Sequence, residues 1–365
     1  MSLVLIISLS VFGCACIIYV LWYVKNRSED DELKHGITRH AANPVISPEP
    51  FREWEHGGTF NPAAIQDDEG YVHILYRAIG ADGLSRIGHS KSKDGKTFDT
   101  RTPFPVYTPL PGFDIPERGH VHGPLTYAPM LYPSGGSWGG SEDPRAVVID
   151  GRVYMTYVAF EGWQSVRIAL TSISMDDLKH NRWNWKRPRY ISPPKTVNKN
   201  WVIFPEKVNG KFAVLHSISP EIRIDYLTSL DGVHDPYIKS VPPSGGRPDH
   251  WDNWVRGAGP PPLKTRIGWL LLYHAMDRND PNKYKLGAMI LDLDDPTKVL
   301  YRSPQPILVP EMNYENDGKP GVVYASGALI LGDELVIYYG GGDRHVCVAH
   351  TNLDSLLNWL AEYGS

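Results

Sequence analysis

One acidic motif stands out among the residues that could do chemistry. Asp143 lies in Glu142-Asp143-Pro144-Arg145, directly after a glycine-rich run at 134–140. A carboxylic acid held in a cavity can protonate a departing group, as general acids do. The same residues could instead form a plain turn, with the aspartate accepting backbone N–H bonds. We predict that Asp143 is the catalytic acid and keep the turn as the alternative.

Basic and polar residues recur at comparable places elsewhere in the chain. Each follows or borders a short apolar segment, and they are Asn61, Arg77, Glu206 with Lys207, His216, His274 and Asp343. Taken singly, an Arg or His at such a place is commonly a structural residue. Together, cations around one carboxylic acid suit a site that binds an anion and protonates a leaving group. The 11 Trp and 20 Tyr residues add aromatic faces on which sugar rings stack.

These residues need elements that bring them together, and a repeated hairpin pattern supplies them. Each repeat is an apolar strand, a turn with glycine and a second apolar strand. The turns are Glu69-Gly70, Asp150-Gly151, Asn209-Gly210, Ile267-Gly268 and Gly332-Asp333. Asp-Gly and Asn-Gly are strong hairpin signals because both turn positions need positive φ.

A further apolar stretch follows every hairpin, which makes three to four strands per repeat. Small antiparallel sheets that cannot bury both faces alone fit the blades of a propeller, whose inner strand ends meet at a central channel. We therefore predict an all-β fold, a five-bladed β-propeller over 43–365, with a helical tail at 355–363. A β-sandwich or two separate sheet domains is the alternative.

Composition excludes several classes of function. The 365 residues carry a formal net charge of −4 and no long basic run, which argues against nucleic acid as a partner. Cys14, Cys16 and Cys347 give neither a zinc spacing nor a disulfide framework. No nucleotide-type phosphate loop, Gly-x-Ser-x-Gly elbow or two-histidine metal helix is present. We expect no metal and no cofactor.

The N-terminal segment is apolar. Leu3 to Tyr23 contains no charged residue and is long enough to cross a hydrocarbon layer of about 30 Å. A cleaved signal peptide or a lipoprotein site at Cys14 is the alternative. We predict a transmembrane anchor at 1–24, a juxtamembrane linker at 25–42 and the catalytic domain at 43–365. Lys25 and Arg27 give a weak preference for a cytoplasmic domain.

Several strings resemble glycoside hydrolase family 130, the five-bladed β-mannoside phosphorylases and related hydrolases. The strings cover almost everything after the linker. They are Asn43-Pro-Val-Ile-Ser-Pro48, Thr59-Phe-Asn-Pro62, Leu75-Tyr-Arg-Ala78, Glu142-Asp-Pro-Arg145, Phe204-Pro-Glu-Lys207, Gly257-Ala-Gly-Pro-Pro-Pro262, Gly268-Trp-Leu-Leu-Leu-Tyr-His274, Leu291-Asp-Leu-Asp-Asp-Pro296 and Tyr338-Tyr-Gly-Gly-Gly-Asp343. Their order along the chain is that of the family.

The resemblance implies an inverting enzyme that cleaves β-mannosidic linkages, with Asp143 acting through a sugar hydroxyl while phosphate attacks the anomeric carbon. The partners implied are a β-mannoside and inorganic phosphate as co-substrate, and the product is mannose 1-phosphate. The phosphate ligands implied are Arg77, Lys199, Arg256 and His274. The predicted sugar contacts are Asn61, Arg145, Glu206 and Asp343.

The chain departs from many phosphorylases at two places. Ser217 follows His216 where a basic residue is common, and Lys199 stands where an arginine is expected. Lysine offers a point charge where arginine offers paired donors, so the anion pocket is weakened. Phosphorolysis is the main prediction. Hydrolysis with Glu221 as the base, a non-catalytic sugar-binding propeller and a family 43-like hydrolase remain alternatives.

Overall fold

The computed structural model describes residues 36–117, 121–231 and 237–365. Within them the chain forms 19 strands, two short 3-10 turns at Glu53–Glu55 and Asn313–Glu315, and two α-helices. Helix α1 covers Met175–Lys179 and helix α2 covers Leu353–Tyr363. The predicted helical tail is therefore present.

The strands group into five antiparallel units, numbered here in chain order. Unit 1 is β2 Gly58–Gln66, β3 Val72–Ile79 and β4 Leu84–Ser92, and unit 2 is β5 Gly139–Ile149, β6 Arg152–Phe160, β7 Val166–Ser174 and β8 Arg189–Tyr190. Unit 3 is β9 Val202–Ile203, β10 Phe212–Ser217 and β11 Arg223–Leu227. Unit 4 is β12 Trp254–Ala258, β13 Leu263–Thr265, β14 Gly268–Asp277, β15 Asp280–Leu291 and β16 Val299–Arg302. Unit 5 is β17 Val323–Leu331, β18 Glu334–Gly341, β19 His345–Asn352 and the N-terminal β1 Thr38–Arg39.

Turn chemistry accounts for the hairpins within the units. Asp150 and Gly151 have φ of 50° and 70°, and Asn209 and Gly210 have φ of 51° and 76°. Positive φ at both central residues matches the right-handed twist of the flanking strands. The Asp-Gly and Asn-Gly pairs therefore fix the turn of units 2 and 3.

Apolar cores lie between successive units and complete a ring. Strand β3 shows the principle, since its side chains alternate between two faces. Leu75 packs in a cluster with unit 2, while Ile74 and Tyr76 pack in a cluster with Tyr338 of unit 5. Three further clusters join unit 2 to 3, unit 3 to 4 and unit 4 to 5. Each unit thus buries both faces against its neighbours, and the first strands β2, β5 and β17 contact one another.

The predicted fold class is wrong as stated. The described residues form a mostly-β, propeller-like ring of four open sheets rather than five separate blades. Units 1 and 2 are one seven-stranded sheet, because β4 and β5 pair in parallel through Leu84 with Gly139 and Ser85 with Gly140.

The predicted membrane anchor is also corrected. Residues 1–24 lie outside the described residues, and so does most of the predicted linker at 25–42. In 36–117, 121–231 and 237–365, none of the helices combines the length and the apolar character needed to cross a bilayer. The predicted membrane location finds no support in these described residues. Thr38–Arg39, within the predicted linker, pairs with β19.

Candidate active site

Four of the five units bulge at the same place on their first strand. The register shifts in β2 between Phe60 and Ala63, in β5 between Glu142 and Arg145, in β12 between Val255 and Gly257, and in β17 between Ala325 and Gly327. A bulge leaves a residue unpaired and re-aims its side chain. The bulged residues include Asn61, Asp143, Arg256 and Ser326, so the ring presents polar groups from four units.

Asp143 sits among donors at the centre of this set. It is 4% exposed, and its Oδ1 accepts a hydrogen bond from Asn61 Nδ2 at 2.7 Å and one from Arg77 Nη1 at 3.2 Å. Burial would raise the pKa of Asp143, but the charges of Arg77 and Lys199, with the Asn61 bond, outweigh it and lower that pKa to about 2. The carboxyl is therefore ionised near neutral pH when no ligand is bound.

Arg77 holds the two neighbouring carboxylates together. Its Nη2 donates to Glu142 Oε1 at 2.7 Å and to the Ser134 carbonyl at 2.8 Å, and its Nε donates to Ser85 Oγ at 3.0 Å. With the bond to Asp143, four of its five N–H groups are used. Arg77 is thus a buried partner of the acid pair with one donor left for a ligand.

Glu142 differs from its neighbour in charge behaviour. The side chain is fully buried, accepts from Ser134 Oγ at 2.8 Å and lies 3.6 Å from Lys199 Nζ. Burial raises the pKa of Glu142 in spite of Arg77 and Lys199. Because Arg77, Ser134 and Lys199 surround it, Glu142 positions cations rather than a ligand.

A second network holds Arg145 beneath Asp143. Arg145 Nη1 donates to the Asp143 carbonyl at 3.0 Å, and Nη2 donates to Asn200 Oδ1 at 3.0 Å and Tyr324 Oη at 2.9 Å. The Tyr324 hydroxyl also donates to Asn200 Oδ1. Arg145 is 3% exposed, so it orients the backbone of the acid and the side chains below it.

His274 completes this layer as a neutral group. Its ring stacks on Tyr324 with centroids 4.2 Å apart. Burial, followed by the charge of Arg145, lowers the pKa of His274 to about 3. The backbone of Ala325 lies beside the ring, but neither ring nitrogen has a hydrogen bond of normal geometry within the described residues. His274 therefore adds a hydrogen-bonding group, not the positive charge expected of it.

Lys199 and Arg256 are two further cations with capacity left for an anion. Lys199 comes from the segment before β9, and Arg256 is the bulged residue of β12. The Arg256 guanidinium lies 4.6 Å from the Trp254 ring centroid, and its Nε has no hydrogen-bond partner in the described part of the chain. Both side chains are partly exposed, which allows a ligand to reach them.

Buried polar atoms without a partner concentrate at this site. In the parts of the chain that the structure describes they include Asn61 Oδ1, Arg256 Nε, both ring nitrogens of His274 and Ser326 Oγ. Native proteins leave few such atoms, and each calls for a ligand, a water or a strain explanation. Their clustering indicates a site built for a polyhydroxylated or anionic molecule.

Two further predicted residues differ in their distance from the site. Asp343 follows β18, pairs with Lys319 at 3.5 Å and acts electrostatically on Arg77, which places it at the edge of the site. Glu206 lies apart, because its exposed carboxylate pairs with Lys264 at 3.0 Å on the surface of unit 4. The geometry gives no support to Glu206 as a sugar contact.

Several partners were missed from the sequence. Glu142 was interpreted only as part of a motif, and Ser134, Asn200 and Tyr324 were not singled out. Asn200 adopts a positive φ of 66° directly after Lys199. Its residue type, which tolerates that conformation, is the one local indication in the sequence. For metals, no group of three or more His, Cys, Asp or Glu side chains in 36–117, 121–231 and 237–365 is placed to hold an ion.

A ring of sheets that presents the buried carboxyl groups of Glu142 and Asp143, several cations and unpartnered polar atoms at its centre is typical of a carbohydrate-active enzyme. The comparisons with known proteins agree. The family model described as beta-1,4-mannooligosaccharide phosphorylase matches residues 37–362, and the chain belongs to this family, glycoside hydrolase family 130. The resemblance given above is thereby confirmed, and the chain is an enzyme.

Individual relatives cover nearly the whole described chain. A 1,2-beta-oligomannan phosphorylase of Thermoanaerobacter sp. (strain X514) is 36% identical over 86% of this chain and 96% of its own length. A beta-1,2-mannobiose phosphorylase of the same organism is 35% identical, again over 86% of this chain and 96% of its own length. The structure of the Listeria innocua beta-1,2-mannobiose phosphorylase in complex with beta-1,2-mannobiose matches with a TM-score of 0.66 and 27% identity, over 89% of this chain and 99% of that one.

Proposed function

We propose that the protein is a β-mannoside phosphorylase that inverts configuration, with Asp143 as acid and inorganic phosphate as nucleophile. The observation that carries this proposal is the buried Asp143 carboxylate, whose Oδ1 is held by Asn61 and Arg77. Both bonds fall on Oδ1, which leaves Oδ2 for a substrate hydroxyl. Beside it stand the cations that an attacking anion requires.

Phosphate would be held by Lys199, Arg256 and the remaining N–H of Arg77, with His274 as a neutral hydrogen-bonding group. Charge-assisted bonds from Arg and Lys are the usual means of holding phosphate. No further cofactor enters this scheme. Asn61, Arg145 and Asp343 would orient the sugar, Arg145 through the backbone of Asp143.

The low pKa of Asp143 makes the timing of protonation part of the mechanism. An acid with a pKa of about 2 holds almost no proton near pH 7. A phosphate anion beside Lys199 would offset one of the charges that depress this pKa, and substrate would displace water, so both ligands raise it. Asp143 would then pass its proton through a sugar hydroxyl to the departing oxygen as phosphate bonds to the anomeric carbon.

The atoms balance without a further reactant. The glycosidic C–O bond breaks, a C–O bond to phosphate forms, and the leaving sugar takes the proton from Asp143. The carboxylate regains a proton from the incoming phosphate or from solvent. The products are mannose 1-phosphate of inverted configuration and the shortened sugar.

We propose β-1,2-linked mannosides as the first substrate class to test and β-1,4-linked mannosides as the second. The relatives described above are named for β-1,2 linkages, whereas the family description names β-1,4-mannooligosaccharides. The identities of 36% and 35% to the relatives named for β-1,2 linkages set this order.

Hydrolysis has less support from the geometry. Inverting hydrolysis requires a second carboxylate about 6.5–9.5 Å from the acid to activate water. Glu221, the base considered from the sequence, is exposed and pairs with Arg223 at 2.6 Å on the surface of unit 3. Glu142 is fully buried and bound to Arg77, so it is not open to water.

The decisive experiment incubates the full chain with β-1,2-mannobiose or β-1,4-mannobiose, with and without phosphate. We expect mannose 1-phosphate only when phosphate is present, with one linkage clearly preferred. Asp143→Asn serves as the inactive control. Free mannose released at equal rates in both conditions would reject phosphorolysis and identify a hydrolase. Sugar binding without turnover would identify a binding protein.

A further inference from the structure

Three polar side chains form a buried chain of contacts in unit 1 that takes no part in the proposed reaction. Asp67 Oδ2 lies 3.0 Å from His73 Nε2, and His73 Nδ1 lies 2.9 Å from His89 Nε2. The two histidines are 1% and 2% exposed. The second ring nitrogen of His89, Nδ1, has no hydrogen-bond partner within the described residues. The chain therefore ends on a buried polar atom that needs a partner.

The protonation of the two histidines fixes the role of that atom. Burial is the largest cause that lowers the pKa of His73 in spite of Asp67, and burial lowers the pKa of His89 well below its usual value. Both rings are therefore neutral near pH 7, and each carries one N–H. The Asp67 carboxylate accepts the N–H of His73, so His73 Nδ1 must accept from His89 Nε2. His89 Nδ1 is thus an acceptor, which suits a hydroxyl group and not a carboxylate.

His89 lines a cavity between units 1 and 2. The volume of this cavity is about 330 Å³, which lies within the range of about 300–1,000 Å³ common for small-molecule sites. The connection after β4 and the segment after α1 supply its other walls, which include Thr100, Thr102, Phe104, Asn181 and Trp183. Because two units form the walls, the packing of the ring creates the cavity.

Aromatic rings and polar groups give this cavity the character of a sugar site. Trp183 is partly exposed and lies against His89, with ring centroids 4.9 Å apart and planes at 60°. The Phe104 ring is 73% exposed. A sugar presents an apolar face that stacks on such rings and hydroxyl groups that bond to polar atoms. Because His89 Nδ1 is itself buried, a ligand hydroxyl reaches it when the Trp183 ring turns outward.

The cavity is separate from the acid. His73, Leu75 and Arg77 alternate along β3 and share the face toward unit 2, with Arg77 at the end that holds Asp143. Leu75 and Ile87 are fully buried between the two ends. At about 3.3 Å per strand residue, His73 lies roughly 13 Å from Arg77 along the strand. A ligand in the cavity therefore does not occupy the site of Asp143.

We propose that this cavity is a second sugar-binding site, which holds one unit of a β-mannoside chain by stacking on Trp183 and by a hydroxyl bond to His89 Nδ1. The choice of a β-mannoside rests on the proposed function. A phosphorylase that removes one terminal unit per turnover must bind the shortened chain again. A second site keeps a long chain close to the enzyme between successive turnovers.

The test records the indole N–H signals of the Asp143→Asn chain by NMR while β-1,2-mannotriose is added. Trp183→Phe in the same background assigns the Trp183 signal. We expect that signal to shift, and the dissociation constant read from it to rise about tenfold in His89→Gln and in Thr100→Trp. Glutamine keeps a donor toward His73 but lacks the Nδ1 acceptor. The tryptophan fills the cavity from an exposed position on its wall.

Tyr363→Ala is the matched control, because it removes an aromatic ring that is 55% exposed and lies outside the cavity. It should leave the dissociation constant unchanged. In the chain that retains Asp143, His89→Gln and Thr100→Trp should keep kcat within about twofold, since distant sites act independently. A Trp183 signal that does not move, or one dissociation constant shared by all variants, would overturn the inference. An equal shift with inorganic phosphate alone would also overturn it.

Failure of the proposed function gives a different result. If the wild-type chain shows no phosphate-dependent turnover while the Trp183 signal still shifts with mannotriose, the function fails and the sugar site stands. Normal turnover with a static Trp183 signal rejects only the second site. Cellotriose is the control sugar, and an equal shift with it would overturn the choice of a β-mannoside.

Discussion

The first strands of units 1 and 2 share one backbone feature, a bulged residue with positive φ before a proline, but they present different side chains. Asn61 precedes Pro62 and has φ of 50°, while Asp143 precedes Pro144 and has φ of 49°. Both lie in bulges, and their side chains meet at 2.7 Å as donor and acceptor. The two units differ here by an amide in place of a carboxylate. The backbone therefore directs a polar side chain to the centre in both units, but of these two side chains only that of Asp143 can act as an acid.

Replacing the acid should have the largest effect. Asp143→Asn keeps a residue type that tolerates positive φ and can still accept from Asn61, so the fold should persist. An amide cannot deliver the proton, and kcat should fall on the order of 10³-fold. Initial rates with phosphate, together with a urea unfolding curve, provide the check. A kcat within tenfold of wild type would assign the acid elsewhere.

Removing the cation between the carboxylates should cost the most stability. Arg77→Met leaves Glu142 and Asp143 buried without their shared partner, and the free energy of unfolding should drop by about 3–5 kcal/mol. Arg182→Met, which breaks exposed pairs with Asp176 and Asp177, is the control and should leave the free energy of unfolding almost unchanged. Similar losses in both variants would argue that the buried pairing is energetically unimportant.

Exchanging the two bulged residues sharpens the comparison directly. Asn61→Asp alone places two carboxylates in contact and should lower the free energy of unfolding by about 1.5–3 kcal/mol, because a charge-assisted bond becomes a repulsion. The double variant Asn61→Asp with Asp143→Asn restores the donor and acceptor pair. We expect it to regain stability but remain as inactive as Asp143→Asn. Recovered turnover would mean that either unit can carry the acid.

His274 should give the smallest effect, visible as pH dependence. Its folded pKa of about 3 lies below the ordinary value of about 6.5, because burial disfavours the charged ring. Its contribution is therefore present above about pH 6.5 and is lost as pH falls toward 3, since the unfolded chain takes up the proton first. Between pH 7 and pH 5 the loss should be about 2 kcal/mol. Over the same pH interval, His274→Asn should lose about 2 kcal/mol less stability than the wild type, as measured by urea unfolding midpoints. An equal loss in both proteins would contradict the low pKa of His274.

The hairpins could be predicted from sequence because their signals are local. Asp150-Gly151 and Asn209-Gly210 encode their turns within two residues. The bulges could not, because proline within a strand looks like a strand boundary. The first strands of units 1 and 2 begin at Gly58 and Gly139, well before Pro62 and Pro144. Their early residues carry much of the site.

The site was predicted where it follows the repeat and missed where it depends on long-range contacts. Asn61, Arg77, Asp143 and Arg145 meet as expected, since equivalent strand positions face the centre. Asn200 and Tyr324 accept hydrogen bonds from Arg145 although they lie far from it in sequence. No spacing of residues along the chain indicates these contacts. Glu206 lies away from the centre, because β9 is only two residues long and adjacency to it does not fix a direction toward the centre.

The pairing of β1 with β19 determines when the ring of units can close during synthesis. Thr38 and Arg39 pair with His350 and Ala349, and Asn43 exchanges side-chain bonds with the Val348 backbone. Strand β1 therefore has no pairing partner until β19 has been synthesised. Units 1 to 4 can pack as they emerge, but this long loop can close only after β19 has been synthesised. Shortening the chain at its C-terminus, even by one strand, would leave an incomplete ring whose early segment has no partner.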